Sequence, residues 1–269
     1  MPENSEARSA FSIKDCVVRL KHSYRFRSDG GIGALARAIQ SGSETLTQAA
    51  LTASDKEVSF VPHSGDGFGA VLGEWVLRHY SRYLESTDPE AALEAFESAR
   101  VLCAHRRGPF GAERVNELIE AELARAELIS PKGYWYSGRP ILVTQNDYSL
   151  QLFNGDVGIV RGQKDVAEHP LRVFFAARGG PLRAMTPARL PSHETAFAMS
   201  IHKSQGSEFD EVAVVLPDAS SPLLSRELLY TAVTRARRRV VIFGPLESVM
   251  ACVRQPVRRA SGLSEALLR

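Results

Sequence analysis

The chain has 269 residues, of which 44% are hydrophobic and 24% charged, and its formal net charge is +2. That is enough apolar material to bury a core in one large domain or two small ones, and it excludes a disordered tail or a disulfide-stapled miniprotein. No apolar run approaches the roughly 20 residues that a membrane-spanning helix requires, and the first ten residues, MPENSEARSA, have no apolar signal core. Three cysteines (Cys16, Cys103, Cys252) in no metal-like spacing point to a reducing cytoplasm.

Taken in chain order, residues 17–20 (VVRL) read as a short strand that leads through the loop SYRF into a helix, where Ile32, Leu35, Ala36 and Ile39 share a face and Gly42 marks the stop. Residues 43–66 are rich in Ser, Thr, Asp and Gly and read as a surface loop with one weak strand, Val58–Val61. Val71, Leu72, Trp75, Val76, Tyr80, Tyr83 and Leu84 fall on one helical face, and Thr87-Asp88-Pro89-Glu90 opens a second helix over residues 91–99. A strand at 101–104, the loop HRRGPFG and a helix presenting Val115, Leu118, Ile119 and Leu123 repeat the strand–loop–helix unit, which predicts a parallel α/β sheet.

From residue 140 to 190 the texture changes to short β-rich runs (ILVTQ, VGIV, LRVFFAA, LRAM), punctuated by Asn154-Gly155-Asp156 and Arg178-Gly179-Gly180-Pro181. This predicts a small antiparallel barrel or sandwich inserted into the α/β domain. Phe174 and at least one of Tyr148, Phe153 and Phe175 are expected in its core, and Asn154-Gly155 is turn chemistry. The α/β pattern resumes with TAFAMSI, the loop HKSQGSEFD, the strand VAVVLP, a helix around 226–236 and the strand VVIFG. The basic tail after Arg254 is expected to fray.

Only six of the 33 basic residues are lysines (Lys14, Lys21, Lys56, Lys132, Lys164, Lys203), so 27 are arginines. Arginine favours planar, bidentate anions such as phosphate. A codon bias toward Arg and Ala gives the same total, however, so only the placed arginines inform. Ligands of parallel sheets bind at the carboxyl ends of the strands, which sets SYRF, HRRGPFG, HKSQGSEFD and the TRARRR turn along one expected rim. Arg25 and Arg235 would suit one polyphosphate, although each alone also reads as a surface arginine. His202, Lys203, Ser204, a flexible Gly206 and Glu208 form a mixture able to touch a phosphate backbone and hydrogen-bond a ribose hydroxyl. Arg106 and Arg107 read either as contacts to a nucleic-acid backbone or as solvated side chains. The seven histidines show no zinc spacing, and no carboxylate cluster with a lysine marks a two-metal nuclease.

Five blocks in order resemble superfamily 1 DNA helicases: LKHSYRF with GIGALARAIQSG, VLCAHRRGPFGAERVNELIE, GRPILVTQNDYSLQLFNGDVGIV, FAMSIHKSQGSEFDEVAVVLP, and LLYTAVTRARRRVVIFG. Within that superfamily they resemble the RecD branch, the alpha subunits of bacterial exonuclease V, from about residue 17 to the end. The resemblance implies a RecA-like, P-loop-NTPase-like second motor domain in two parts, 1–135 and 192–269, carrying an SH3-like β-barrel over 136–191. It implies that Arg25 and Arg235 approach the γ-phosphate of ATP as arginine fingers. Glu208 would lie by the ribose, with Gly206 in the same nucleotide-side loop, and His202, Lys203 and Ser204, joined by Arg106, by single-stranded DNA. It further implies 5′ to 3′ travel in double-strand-break repair and recombination, ATP and Mg2+ as cofactors, and the beta and gamma subunits RecB and RecC as partners.

The departure from that pattern is as informative. No lysine stands in G-x-x-x-x-G-K-[ST], and no apolar strand ends in an acidic pair placed for magnesium. The chain therefore reads as the C-terminal half of a longer protein, inactive as an ATPase without its missing N-terminal motor domain. Two alternatives stay open: a non-catalytic DNA-binding or subunit-docking module, and a stand-alone RecD-like helicase. The inserted β module reads equally as a DNA pin or clamp, a docking face, or filler.

Overall fold

The computed structural model describes residues 30–53, 55–63, 67–162, 171–177 and 180–257. The expected strand at 17–20, Arg25, Cys16 and the tail beyond residue 257 lie outside the described residues.

Helix α1 (Gly31–Ser41) buries Ile32, Leu35 and Ile39 and ends at Gly42, whose φ of 73° suits a residue without a Cβ and whose N–H donates to Ile39 O. The segment after it is not all loop, as the sequence suggested. Helix α2 (Glu44–Thr52) fills its first part, capped by Ser43, whose hydroxyl accepts from the Leu46 N–H. Only Thr47 and Leu51 of α2 are buried, so it shows almost no apolar period. The expected strand β1 (Val58–Val61) follows, then α3 (Phe68–Glu85) and α4 (Pro89–Glu97). The Asp88 carboxylate accepts from the Ala91 N–H at 3.0 Å and caps α4. Next come β2 (Ala99–Cys103), α5 (Ala112–Arg125), β3 (Pro140–Val143), β4 (Val157–Gly162), β5 (Leu171–Ala177), β6 (Gly180–Met185) and β7 (His193–Thr195). The described residues finish with β8 (Ala198–Ser200), β9 (Phe209–Val215), α6 (Arg226–Val233), β10 (Ala236–Phe243) and α7 (Leu246–Arg254).

Among the described residues five strands form a parallel sheet in the order β1-β10-β9-β2-β8. In β9 the alternation that defines a strand sends Val212 and Val214 to one face and Ala213 and Val215 to the other, and all four are buried. The first face packs with Leu35, Ile39, Leu229, Val240 and Ile242, the second with Val76, Tyr80, Phe96, Val115 and Ile119. Helices therefore cover both faces, as a parallel sheet demands.

The expected β-rich insertion is a second, antiparallel sheet in the order β6-β5-β4-β3-β7. It reaches beyond residue 191, because His193, Glu194 and Thr195 pair with Val143, Leu142 and Ile141. Its own core holds Ile141, Val143, Val160, Val173 and Phe175. Phe175 is buried; its neighbour Phe174 points to the opposite face and is half-buried against the second core of the parallel sheet. Tyr148 and Phe153 are exposed. Among the described residues no ladder joins β6 to β7.

Polar bonds fasten the two sheets where the chain crosses between them. The Tyr83 hydroxyl donates to Gly138 O at 2.9 Å, Tyr80 donates to Phe197 O at 2.7 Å, and Arg100 Nη1 donates to Ala196 O at 3.0 Å. Arg100 is 1% exposed, and its guanidinium lies 3.9 Å from the centre of the Phe96 ring. That ring offsets part of the cost of burying the charge.

Candidate functional site

Strand registers decide which loops lie together. Cys103 is level with Ser200 and with Val215, and all three end their strands. Residues 105–107, which follow β2, and residues 201–203, which follow β8, therefore lie at the carboxyl edge of the parallel sheet. Ala236 is level with Phe209, and both begin their strands. Arg235 and Glu208 immediately precede those residues and lie at the amino edge. The single rim expected from the sequence is thus two edges, and residues 201–208 run from one to the other.

At the amino edge, α6 ends at Val233 and only Thr234 and Arg235 separate it from β10. That short join turns the Arg235 side chain inward, where it is 7% exposed. Its Nη1 donates to Ser207 O at 2.9 Å and its Nε to Thr231 O at 3.2 Å. The main chain adds a bond from the Phe209 N–H to Arg235 O at 2.9 Å. Glu208 accepts from Arg237 Nε at 3.2 Å. Adjacent strand starts so bring Glu208 and Arg235, far apart in sequence, into one neighbourhood. Gly206, at φ 89°, supplies the left-handed residue of the approach loop.

At the carboxyl edge, Lys203 Nζ lies 2.6 Å from Glu194 Oε1, and Arg106 Nη2 lies 3.7 Å from Glu194 Oε2. Arg106 Nε is also 3.0 Å from Glu113. His202 is exposed and borders a groove of about 810 Å³ together with Gln205, Ser225, Thr231 and Arg254. His105 shares a hydrogen bond of 2.7 Å with the Ser221 hydroxyl, and burial holds its pKa below the ordinary value.

Ser204 corrects the sequence reading. It is fully buried, and its hydroxyl donates to Ile201 O at 2.7 Å within the short 3-10 turn Ile201–Ser204. It holds the turn and offers no surface contact. The sequence also left Glu194, Ser207 and Thr231 unremarked: one is a carboxylate in an edge strand of the other sheet, and two act through main-chain oxygens. Among the described residues no group of three or more His, Cys, Asp or Glu is placed to hold a metal ion, and no helix is long and apolar enough to cross a membrane.

Residues 195–243, from the end of β7 through β10, match the UvrD-like helicase C-terminal domain. The chain is 41% identical over 257 residues to the RecBCD enzyme subunit RecD of Mycobacterium tuberculosis, covering 94% of this chain and 43% of that protein. It is 34% identical over 278 residues to the RecD subunit of Haemophilus influenzae, covering 95% and 41%. To the ATP-dependent RecD2 DNA helicase of Deinococcus radiodurans it is 33% identical over 173 residues, covering 63% and 23%. The chain spans about two fifths of the length of the RecD subunits it matches. Across nearly all of its own length the chain is similar to RecD subunits, and within that stretch residues 195–243 match the UvrD-like helicase C-terminal domain.

Proposed function

We propose that this chain is the second motor half of an ATP-dependent 5′ to 3′ DNA helicase subunit of the RecD type, working in double-strand-break repair and recombination. The observation that carries the reading is the Arg235 guanidinium, fixed by Ser207 O and Thr231 O beside Glu208 at one sheet edge, while Lys203 and Arg106 stand at the other. A guanidinium already held in place stabilises charge on a transferred phosphoryl group without reorganising at the moment of reaction. The similarity to RecD subunits over 94% of the chain supports the same assignment.

In this reading Arg235, with Arg25 from outside the described residues, serves as an arginine finger, and Glu208 faces the ribose across the loop that Gly206 bends. His202, Lys203 and Arg106 meet the backbone of single-stranded DNA. The second sheet is the SH3-like module of the motor, the partners are RecB and RecC, and the compartment is the cytoplasm. These residues fit one side of an ATP site, a fixed cation and a nearby carboxylate. They include no P-loop lysine, so the β-phosphate and Mg2+ fall to the other motor domain. ATP bound there supplies the free energy of hydrolysis. This chain's part is to present positive charge to the γ-phosphate and to close on it.

The test is Arg235→Ala in the whole protein. DNA-stimulated ATP turnover is expected to fall by about 10³-fold or more, with circular dichroism unchanged. Turnover near that of the wild type would refute the assignment.

A further inference from the structure

The geometry points to Glu194 as a built-in stand-in for a DNA phosphate, which occupies Lys203 and Arg106 until a strand's backbone displaces it. The inference rests on the reading that these two cations meet single-stranded DNA. They come from separate loops, one after β8 and one after β2, yet they converge on the two oxygens of one carboxylate, at 2.6 Å and 3.7 Å. A phosphodiester offers the same pair of anionic oxygens to the same pair of donors. Glu194 and Lys203 are partly wet, their side chains 25% and 30% exposed. An ion pair in that setting contributes little net stability, so a competing anion can exchange with it.

The carboxylate belongs to the other sheet. Glu194 is the middle residue of β7, which among the described residues is an edge strand paired only with β3. A bound strand therefore releases a side chain of the insertion, and a vacant groove recaptures it. The remaining charges sort the effect by residue. Glu113, Glu117 and Glu120 line a cavity of about 220 Å³ with Arg106 and Glu194, and Glu113 already lies 3.0 Å from Arg106. Removing the Glu194 charge leaves Arg106 with Glu113, so the released cation is Lys203.

The experiment is Glu194→Gln in the full chain, with binding of a fluorescent oligothymidylate measured across a salt series. We expect about threefold tighter binding, the size of one partly exposed ion pair. The slope of log affinity against log salt should stay near that of the wild type, because the displaced carboxylate leaves the same phosphate contacts in both complexes. In a Lys203→Ala background the same substitution is expected to change nothing. Unaltered affinity of Glu194→Gln, where Lys203→Ala weakens binding, overturns the stand-in role and leaves Lys203 a DNA contact. Equal tightening in both backgrounds also overturns it, since that is a general loss of negative charge. If Lys203→Ala itself leaves binding unchanged, the DNA reading of Lys203 fails first and the inference falls with it. A thermal midpoint for Glu194→Gln equal to that of the wild type shows that the fold is intact.

Discussion

The Asn116 side chain meets the main chain of Ala198 twice: its Oδ1 accepts from the Ala198 N–H at 2.9 Å, and its Nδ2 donates to Ala198 O at 2.9 Å. The amide of α5 so completes the outer side of β8, which has β2 on its other side, much as a further strand would. The same Nδ2 donates to Ala112 O at 2.7 Å. Asn116→Ala leaves a buried N–H and a buried carbonyl unpaired. The expected loss is about 2–3 kcal/mol, read as a lower urea midpoint at unchanged slope. A loss below about 0.5 kcal/mol would mean that other groups satisfy Ala198.

Arg235→Lys keeps the charge and removes the fork. One ammonium on a flexible stem does not reproduce the paired bonds to Ser207 O and Thr231 O. In the whole protein we expect DNA-stimulated ATP turnover at least about a hundredfold below wild type, close to the alanine variant, and stability lower by about 1 kcal/mol. Full turnover in the lysine variant would show that charge alone suffices at this position.

How much of this was legible in the sequence depends on how each signal is carried. The parallel sheet was readable because strands such as β9 are apolar on both faces and alternate with helices such as α1 and α5, which keep a clean apolar stripe. Helix α2 was hidden by having too few buried residues, and α7 by its short length of nine residues and its start at Pro245, where no side chain caps the first turn. At the site, Arg235 and Glu208 stood out as motif residues. Their separation from Arg106 did not, because motif order carries no strand register. Ser204 looked like a surface residue among polar neighbours until one 3-10 turn rotated it inward. Glu194 is only nine positions from Lys203, yet nothing local says that an edge strand of one sheet faces a turn of the other.

Gly158 in β4 lies opposite Phe175 in β5, and a Cβ at that glycine would stand 2.6 Å from the phenylalanine ring. Gly158→Ala therefore overpacks the second sheet, with an expected cost of about 1–3 kcal/mol. Adding Phe175→Leu removes the overlapping ring atoms. The double variant is expected to melt no lower than Phe175→Leu alone. A lower midpoint would place the strain in the backbone rather than at the ring.

Burial pushes the pKa of His79 below its ordinary 6.5; Glu211, at 3.4 Å, opposes the shift, and Arg78 and Arg239 reinforce it. His63 and His105 are lowered by burial as well. Below the ordinary histidine value the unfolded chain binds protons that the folded chain does not, so stability falls as pH drops through that range and levels off above it. The urea midpoint is expected to be lower at pH 5.5 than at pH 7.5. His79→Asn should make the difference smaller. A difference unchanged in that variant would assign the effect to His63 or His105.

Residues 201–208 cross from the carboxyl end of β8 to the amino end of β9 with little slack. The Ser204 hydroxyl bonds to Ile201 O, the Gln205 N–H to His202 O, and the Ser207 N–H to Ser204 O. The segment is in effect a tie-rod laid across one face of the sheet. Only three residues separate Lys203, whose ammonium stands at one end, from Ser207, whose carbonyl grips Arg235 at the other. The two edges are thus joined by a short, internally hydrogen-bonded stretch of main chain as well as through the packed core.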